Sequence, residues 1–532
     1  TETVAAQAKL QDMKDKFSEW VWQDATTETE LCRIYNEQFN ATRERTYDGS
    51  HLTLPGASTT IELRPHQKDA VWRILQSKTT LIGHCVGAGK TLISIAAAHE
   101  MRRLGIARKS MIVVPKHVVP QWAAEAQRLY PGLKMLTTDA KDFTRHTRGE
   151  TLSRIATGDW DLIIIPHPSF KLLPVSAATT NKFINDEMER LRDYISELKT
   201  DGEREHKRSI KQLEKTLKRF EARLKSQNAD IKHDDTQTIT FEELGVEALF
   251  VDEFHAYKNL YFPTKMSRIA GLSNSESQQA FDMFIKIQWL TGQDGRVIAL
   301  TGTPVSNTLC EVWIMMRYLQ LDLLKELGMD QFDAWAQAFA ETTTGVEMKP
   351  DGSGFRIHTR FNKFVNLPEL SRLWRQCLDV RTPEQLDLPR PKMMGGSPII
   401  VSVPASEELI DFVGELSQRS ERVRARLVHP SVDNMLKITS EGRKAALDMR
   451  LIKPEIDVLP NNKIDALVER VGRIHARTEA SAKRSRHCRK AQCNCGRAFT
   501  SRQWRFTKPS LKTTSYRVQP HAKLRGWRNG FA

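Results

Sequence analysis

The chain is 532 residues long, with 80 Lys or Arg against 65 Asp or Glu and a formal net charge of +15. That length accommodates two to four domains, each with its own core. No run of eighteen apolar residues is present to cross a bilayer, and no basic-then-apolar leader opens the sequence, so the expectation is a cytoplasmic chain.

The positive charge is local. Residues 481–532 hold fourteen Lys or Arg and no Asp or Glu, leaving 66 of the 80 basic residues against all 65 acidic ones in 1–480. The body is nearly neutral, so overall charge alone does not argue for nucleic acid. Four of the seven cysteines, Cys32, Cys85, Cys310 and Cys377, are scattered, which is not a disulfide framework and fits a reducing compartment.

Residues 1–60 read as a helical extension, with Leu10, Met13, Phe17 and Trp20 at three- and four-residue spacing, closed by the turn-rich YDGSHLTLPG at 47–56. From 61 onward short apolar runs alternate with helices: TTLIGH, SMIVVP, DLIIIP, ALFV and VIAL. Apolar strands alternating with helices predict an α/β domain over 61–320 built on a parallel sheet buried on both faces. Within it, residues 182–232 carry no strand signal. Met188, Leu191, Ile195 and Leu198, then Ile210, Leu213, Leu217, Phe220 and Leu224, step by three and four. This pattern predicts an inserted antiparallel helical hairpin of coiled-coil type; two surface helices packed on the body are the alternative. Residues 309–385 read mainly as helices broken by a Gly-rich loop at 345–354, with 321–396 a helical connector. SPIIVSV at 397–403 reads as a further strand, and 397–476 as otherwise helical.

Three runs carry chemistry. GHCVGAGKT at 83–91 follows an apolar strand and opens a helix. Gly87, Ala88 and Gly89 would let backbone N–H groups approach phosphate oxygens, Lys90 would contact the β- and γ-phosphates, and Thr91 would hold Mg²⁺. The usual phosphate-loop pattern has glycine six residues before Lys90, where this chain has His84. VDEFH at 251–255 puts Asp252 at a strand end, placed to hold Mg²⁺, and Glu253 beside it, placed to polarise water. Two adjacent acids can also be a solvated turn, and the upstream phosphate loop favours the metal reading. LTGTP at 300–304 places Thr301 and Thr303 after a third strand, where hydroxyls can relay the phosphate state.

With LRPHQKDAVWRIL at 63–75, MIVVPKHVVPQW at 111–122, VDEFHAYKNL at 251–260 and ALTGTPVSNTLCEVW at 299–313, the chain resembles a Swi/Snf-type member of helicase superfamily two. The resemblance covers about 61–320 and more weakly extends to about 476. It is strongest toward the helicase modules of large phage- and plasmid-borne proteins often fused to an adenine-N6 DNA methylase; no NPPY-type methylase run is present here. The resemblance implies a RecA-like ATP-binding lobe and a DNA-dependent ATPase that translocates on duplex DNA, with ATP and Mg²⁺ as cofactors. By position, Gln67 would contact adenine, while Lys90, Thr91, Asp252 and Glu253 act on phosphate, metal and water. His255, Thr301 and Thr303 would couple hydrolysis to movement, and Lys116, Gln121 and Trp122 match a segment touching the nucleic-acid backbone. Trp122 could equally be a core residue.

The resemblance also requires a second lobe that supplies arginine fingers through an Arg-x-x-Arg-x-Gly-Gln run, and the sequence contains none. Residues 397–476 are therefore expected to be a partial second lobe and 477–532 a basic tail, disordered or out of frame, in a fragment that begins with Thr1. A nucleic-acid-binding tail is the rival reading, and a zinc site of His487, Cys488, Cys493 and Cys495 a weaker one, because C-x4-C-x-C lacks paired C-x2-C knuckles. Weak ATP turnover follows from the missing fingers. The alternatives are a non-catalytic nucleotide- or DNA-binding module, with a protein docked on the hairpin, and a restriction-type helicase subunit.

Overall fold

The computed structural model describes residues 45–200, 210–222 except 212, 239–264, 266, 269–270, 277–306, 308–348, 355–386, 397, 399–425, 427–456 and 462–488. Within the first 44 it describes 9, 12–13, 15–17, 19–21 and 23–37. The chain divides into two compact units, Thr1–Glu347 with Arg356–Pro389, and Met348–Phe355 with Arg390–Ala532.

The first unit is an α/β domain. Strands β1 (Thr79–His84), β2 (Ser110–Val114), β3 (Met135–Thr137), β4 (Leu162–Pro166), β5 (Ala248–Val251), β7 (Arg296–Leu300) and β10 (Leu378–Arg381) form one sheet. Its order is β10-β1-β7-β5-β2-β4-β3, with every pairing parallel. Because side chains alternate across a strand, these apolar runs feed two cores. Met111, Val113, Leu249, Val251, Val297 and Ala299 pack on one face with helices Gln278–Gly292 and Cys310–Leu319. Ile112, Val114, Ala248, Phe250, Ile298 and Leu300 pack on the other with helices Pro65–Gln76, Lys90–Arg103 and Val119–Leu129. Each fully buried Ile, Leu or Phe contributes about 1.5–3 kcal/mol, so the continuous apolar runs are what hold the sheet between two helix layers. The parallel, RecA-like expectation is met.

The hairpin helices pack on each other and on the body. Helix Ala177–Thr200 buries Met188, Leu191, Ile195 and Leu198 in a cluster with Leu213 and Phe220, which the helical residues 213–222 supply. The ion pairs Arg192–Glu221 (3.7 Å) and Lys199–Glu214 (3.2 Å) run in opposite chain directions, so the two segments are antiparallel. Phe281 and Ile285 of helix Gln278–Gly292 join the same cluster. Arg317 secures the base: its Nη2 lies 2.9 Å from Glu187 Oε1, and both side chains are buried. The remainder of the expected hairpin, 201–209 and 223–232, lies outside the described residues, as do 489–532 and most of the loop at 345–354.

Residues 309–385 depart from the helical expectation. Helices Cys310–Leu319, Leu321–Glu326, Phe332–Phe339 and Leu367–Arg375 are present. Between them β8 (Ala340–Met348) and β9 (Phe355–Phe364) form a small sheet with β6 (Ile269–Ala270), ordered β6-β9-β8. FRIHTRFNKF alternates at period two, a strand signal masked by its charges. The sequence LDVR of β10 carries two charges in four residues and is short; it is a strand because β1 supplies a partner from Leu81↔Leu378 to His84↔Arg381. SPIIVSV, by contrast, is not a strand: 399–403 are irregular, and Ile399 and Ile400 are exposed. β-branched composition does not make a strand without a neighbour to pair with.

Among its described residues from 407 onward the second unit's regular structure is helical. Helix Glu407–Arg424 is capped by Ser406, whose hydroxyl accepts from Leu409 N, and helix Met435–Leu447 by Asn434, whose side chain accepts from Lys437 N. Phe412, Leu416, Ile438, Ala445 and Met449 make its core. Arg419 ties the two helices together, bonding Asp433 at 2.7 Å and Glu441 at 2.6 Å. Helix Lys463–Cys488 follows.

Candidate nucleotide site

Three sequence runs separated by long stretches of chain end on three adjacent strands. β7 lies between β1 and β5, with registers Ile82↔Leu300 and Val251↔Ala299. The ladder continues past the strands through Thr301 N to Ile82 O (3.1 Å) and Asp252 N to Val113 O (2.8 Å). The phosphate loop, the acidic pair and the TGTP turn therefore emerge together at the carboxyl edge of a parallel sheet, where such sheets bind ligands.

The loop between β1 and helix Lys90–Arg103 turns on Gly87 (φ 88°) and Gly89 (φ 83°). At Gly89 a Cβ would stand 2.1 Å from Gln67 Nε2, so both the backbone conformation and the space require glycine. No side chain caps the helix that begins at Lys90, which leaves its first N–H groups for an anion. Gln67 is buried and braces the loop: Nε2 donates to Ala88 O at 3.0 Å, and Oε1 accepts from Arg64 N at 2.9 Å. His66 Nε2 bonds the same Ala88 carbonyl at 3.0 Å. Lys90 Nζ donates to His84 O at 2.9 Å, and Thr91 follows it half-buried. Burial lowers the Lys90 pKa, opposed by the charges of Asp252 and Glu253.

Asp252 is pushed up to about 6, first by burial and then by Glu253 beside it, with Lys90 pulling the other way. Glu253 sits in the left-handed region at φ 51°, a strained position for a non-glycine residue at a strand-to-turn junction. His255 Nδ1 lies 3.1 Å from Glu253 Oε2 and 3.2 Å from Thr301 Oγ1. Thr301 is buried and its Oγ1 accepts from Thr303 N at 3.1 Å, while Thr303 is exposed. One imidazole nitrogen thus links the acidic run to the TGTP run. A second link was not singled out by sequence: Lys258 Nζ bonds Ser306 Oγ at 2.8 Å and pairs with the buried Glu311 at 3.0 Å. Its signal is the Lys and Ser that follow each motif by a few residues.

Lys116 and Gln121 are exposed. Lys116 lines a cavity of about 660 Å³ with His117, Thr137, Thr138 and Asp139. Trp122 is 3 % exposed, in the core formed with Ala126 and Leu129. This corrects its reading as a nucleic-acid contact. The indole is on the inward face of its helix, and the core alternative holds.

The arrangement fits ATP and Mg²⁺. A glycine cradle, a half-buried lysine and a free helix start suit phosphates, and a Thr hydroxyl with a buried carboxylate is an oxygen-ligand set suited to a hard cation. Among the described residues no group of three or more His, Cys, Asp or Glu could hold a metal. Among the described residues no helix is long and apolar enough to cross a membrane.

A family model described as a probable helicase domain matches residues 72–382, and one for a domain of unknown function matches residues 1–41. The chain is 24% identical over 416 residues to the Defense against restriction protein B of Escherichia phage P1, covering 70% of this chain and 18% of that protein. It thus spans under a fifth of that relative's length. Among solved structures it is similar to the Sulfolobus solfataricus SWI2/SNF2 ATPase core in complex with dsDNA, at 15% identity and a TM-score of 0.32, covering 77% of this chain and 64% of that one. The helicase-domain match takes in well over half of the sequence, including the phosphate loop, the acidic pair and the TGTP turn, and the chain belongs to that probable helicase family.

Proposed function

We propose that the chain is an ATP-dependent translocase on double-stranded DNA, with its nucleotide site at the ends of β1, β5 and β7. The observation that carries this is His255 Nδ1 placed between Glu253 and Thr301. A group that reads phosphate chemistry is thereby bonded to the turn through which motion would be relayed. Lys90 holds positive charge at the phosphates, Thr91 and Asp252 are the residues that would hold Mg²⁺, and Glu253 orients and polarises the attacking water. Mg²⁺·ATP supplies the phosphoanhydride and the neutralising charge. His255, Thr301 and Thr303 carry the coupling, and Lys116 and Gln121 present exposed polar groups to the nucleic-acid backbone. Gln67 is assigned to adenine from the resemblance; its two hydrogen bonds to Arg64 and Ala88 would make it a brace of the loop as well.

The name of the phage relative supports placing this activity in phage or plasmid defence. An adenine-N6 methylase module or a protein docked on the hairpin belongs to the same proposal, as does the division into a nucleotide lobe and a partial second lobe. An arginine finger is worth about 10³–10⁵ in rate, and without the Arg-x-x-Arg-x-Gly-Gln run the chain should bind ATP better than it turns it over. Hydrolysis measured with and without duplex DNA tests this. The proposal expects slow, DNA-stimulated turnover that Glu253→Gln lowers by about 10²-fold or more. Turnover that ignores both DNA and Glu253→Gln would refute it.

A further inference from the structure

We propose that Asp379, on edge strand β10, is a positioning residue for the phosphate loop and acts through His84. The inference deepens the nucleotide-site reading and rests on it for its functional consequence. His84 occupies the position where the phosphate-loop pattern has glycine, and it is fully buried. Its Nε2 lies 3.1 Å from Asp379 Oδ2, and Asp379 is 8 % exposed. Burial alone would raise the Asp379 carboxyl, but the His84 imidazole together with the Arg73 and Arg381 charges more than offsets this and holds it below its usual range. Arg381 stands 3.9 Å from the same carboxylate and 4.0 Å from Asp69 on the helix that carries Gln67. The main chain is tied at the same place, since Cys85 N donates to Arg381 O at 3.1 Å.

These contacts converge on one carbonyl. His84 is fixed through its ring, and its carbonyl oxygen receives Lys90 Nζ at 2.9 Å. A buried charge-assisted hydrogen bond at the last residue of β1 therefore sets where the first turn of the loop begins and where the lysine ammonium rests. Packing alone would require only an apolar residue here. A buried polar pair costs desolvation and gives in return a fixed direction.

The experiment reads amide hydrogen exchange over 84–90 and titration of a fluorescent ATP analogue with Mg²⁺, on the full chain. Asp379→Ala and His84→Leu are expected to raise exchange in that segment by about tenfold and to weaken nucleotide binding by about as much. His84→Gln, whose amide nitrogen reaches toward Asp379, should restore both. Wild-type exchange at 84–90 in the disrupted variants would overturn the assignment. So would loss of protection spread over the whole sheet that His84→Gln does not rescue. Should Asp379→Ala fail to fold, Asp379→Asn keeps the volume and an acceptor while removing the charge; a smaller rise confined to 84–90 supports the assignment, and an unchanged segment contradicts it. A wild-type chain that binds no nucleotide would refute the site reading, and the exchange data would still decide the positioning role.

Discussion

In the sheet unit Ile112, Phe250 and Ile298 are buried on one face and Val113, Leu249 and Val297 on the other, whereas in the helical unit Leu436, Leu467 and Ile474 are 81, 62 and 57 % exposed. Both regions carry apolar residues at regular spacing, but the helical unit turns that spacing into only a small core of five buried side chains. The difference lies in partners. A parallel strand hydrogen-bonds neighbours on both sides and offers two faces to helices, so an apolar residue at any position meets something. The helices of the second unit meet along a seam of five buried side chains flanked by the half-buried Leu409, Val423 and Met435, while Leu436, Leu467 and Ile474 stay exposed. The candidate site accordingly sits where three strand ends are fixed by the sheet rather than on the helical unit.

Substitution in the sheet core should cost the most stability. Trp313 is fully buried in the sheet core and its Nε1 donates to Met329 O at 3.0 Å. Trp313→Ala should destabilise the sheet unit by about 3–5 kcal/mol, read as an earlier denaturant midpoint; a loss under 1 kcal/mol would mean that core is not packed as described. An intermediate effect comes from His167, which bonds Tyr257 OH at 2.7 Å beneath the acidic run. Burial depresses its pKa from 6.5 to about 4. Between those values the unfolded chain takes up a proton that the folded chain refuses, so stability is complete above pH 6.5 and falls as pH drops toward 4. The loss should approach about 3 kcal/mol. The buried Asp252 carboxyl, raised to about 6, works in the opposite sense over the same range, so the comparison is between chains: the stability of the wild type relative to His167→Gln should fall between pH 7 and pH 4.5, and an unchanged difference would contradict the burial. The smallest effect comes from the helical unit, where Leu436→Ala should change stability by no more than about 0.5 kcal/mol. A larger loss would show that this face is covered in solution.

Much of the site was legible because phosphate chemistry constrains short contiguous runs. Gly87, Gly89 and Lys90 must be close in sequence to close a loop on an anion, and ALFV before Asp252 announces a strand end. What escaped were the partners that tertiary structure alone brings near. Asp379 lies almost three hundred residues from His84, and LDVR alternates over only four residues, too short a run to mark it as a strand. Lys258 and Glu311 likewise meet only because β5 and β7 are adjacent. SPIIVSV failed in the opposite sense: its composition is strand-like, and in the described structure no neighbouring strand pairs with it. Trp122 could face either way on its helix until the sheet fixed which side was inward.

On the proposed reading, the ends of β1, β5 and β7 form one nucleotide site. Titrating Mg²⁺·ATP into the wild-type chain and into Lys90→Ala by calorimetry tests it most directly. Saturable one-site binding to the wild type is expected, weakened by at least about tenfold in the variant, since a charge-assisted contact contributes about 1.5–3 kcal/mol. Equal binding to both chains, or none to the wild type, would contradict it.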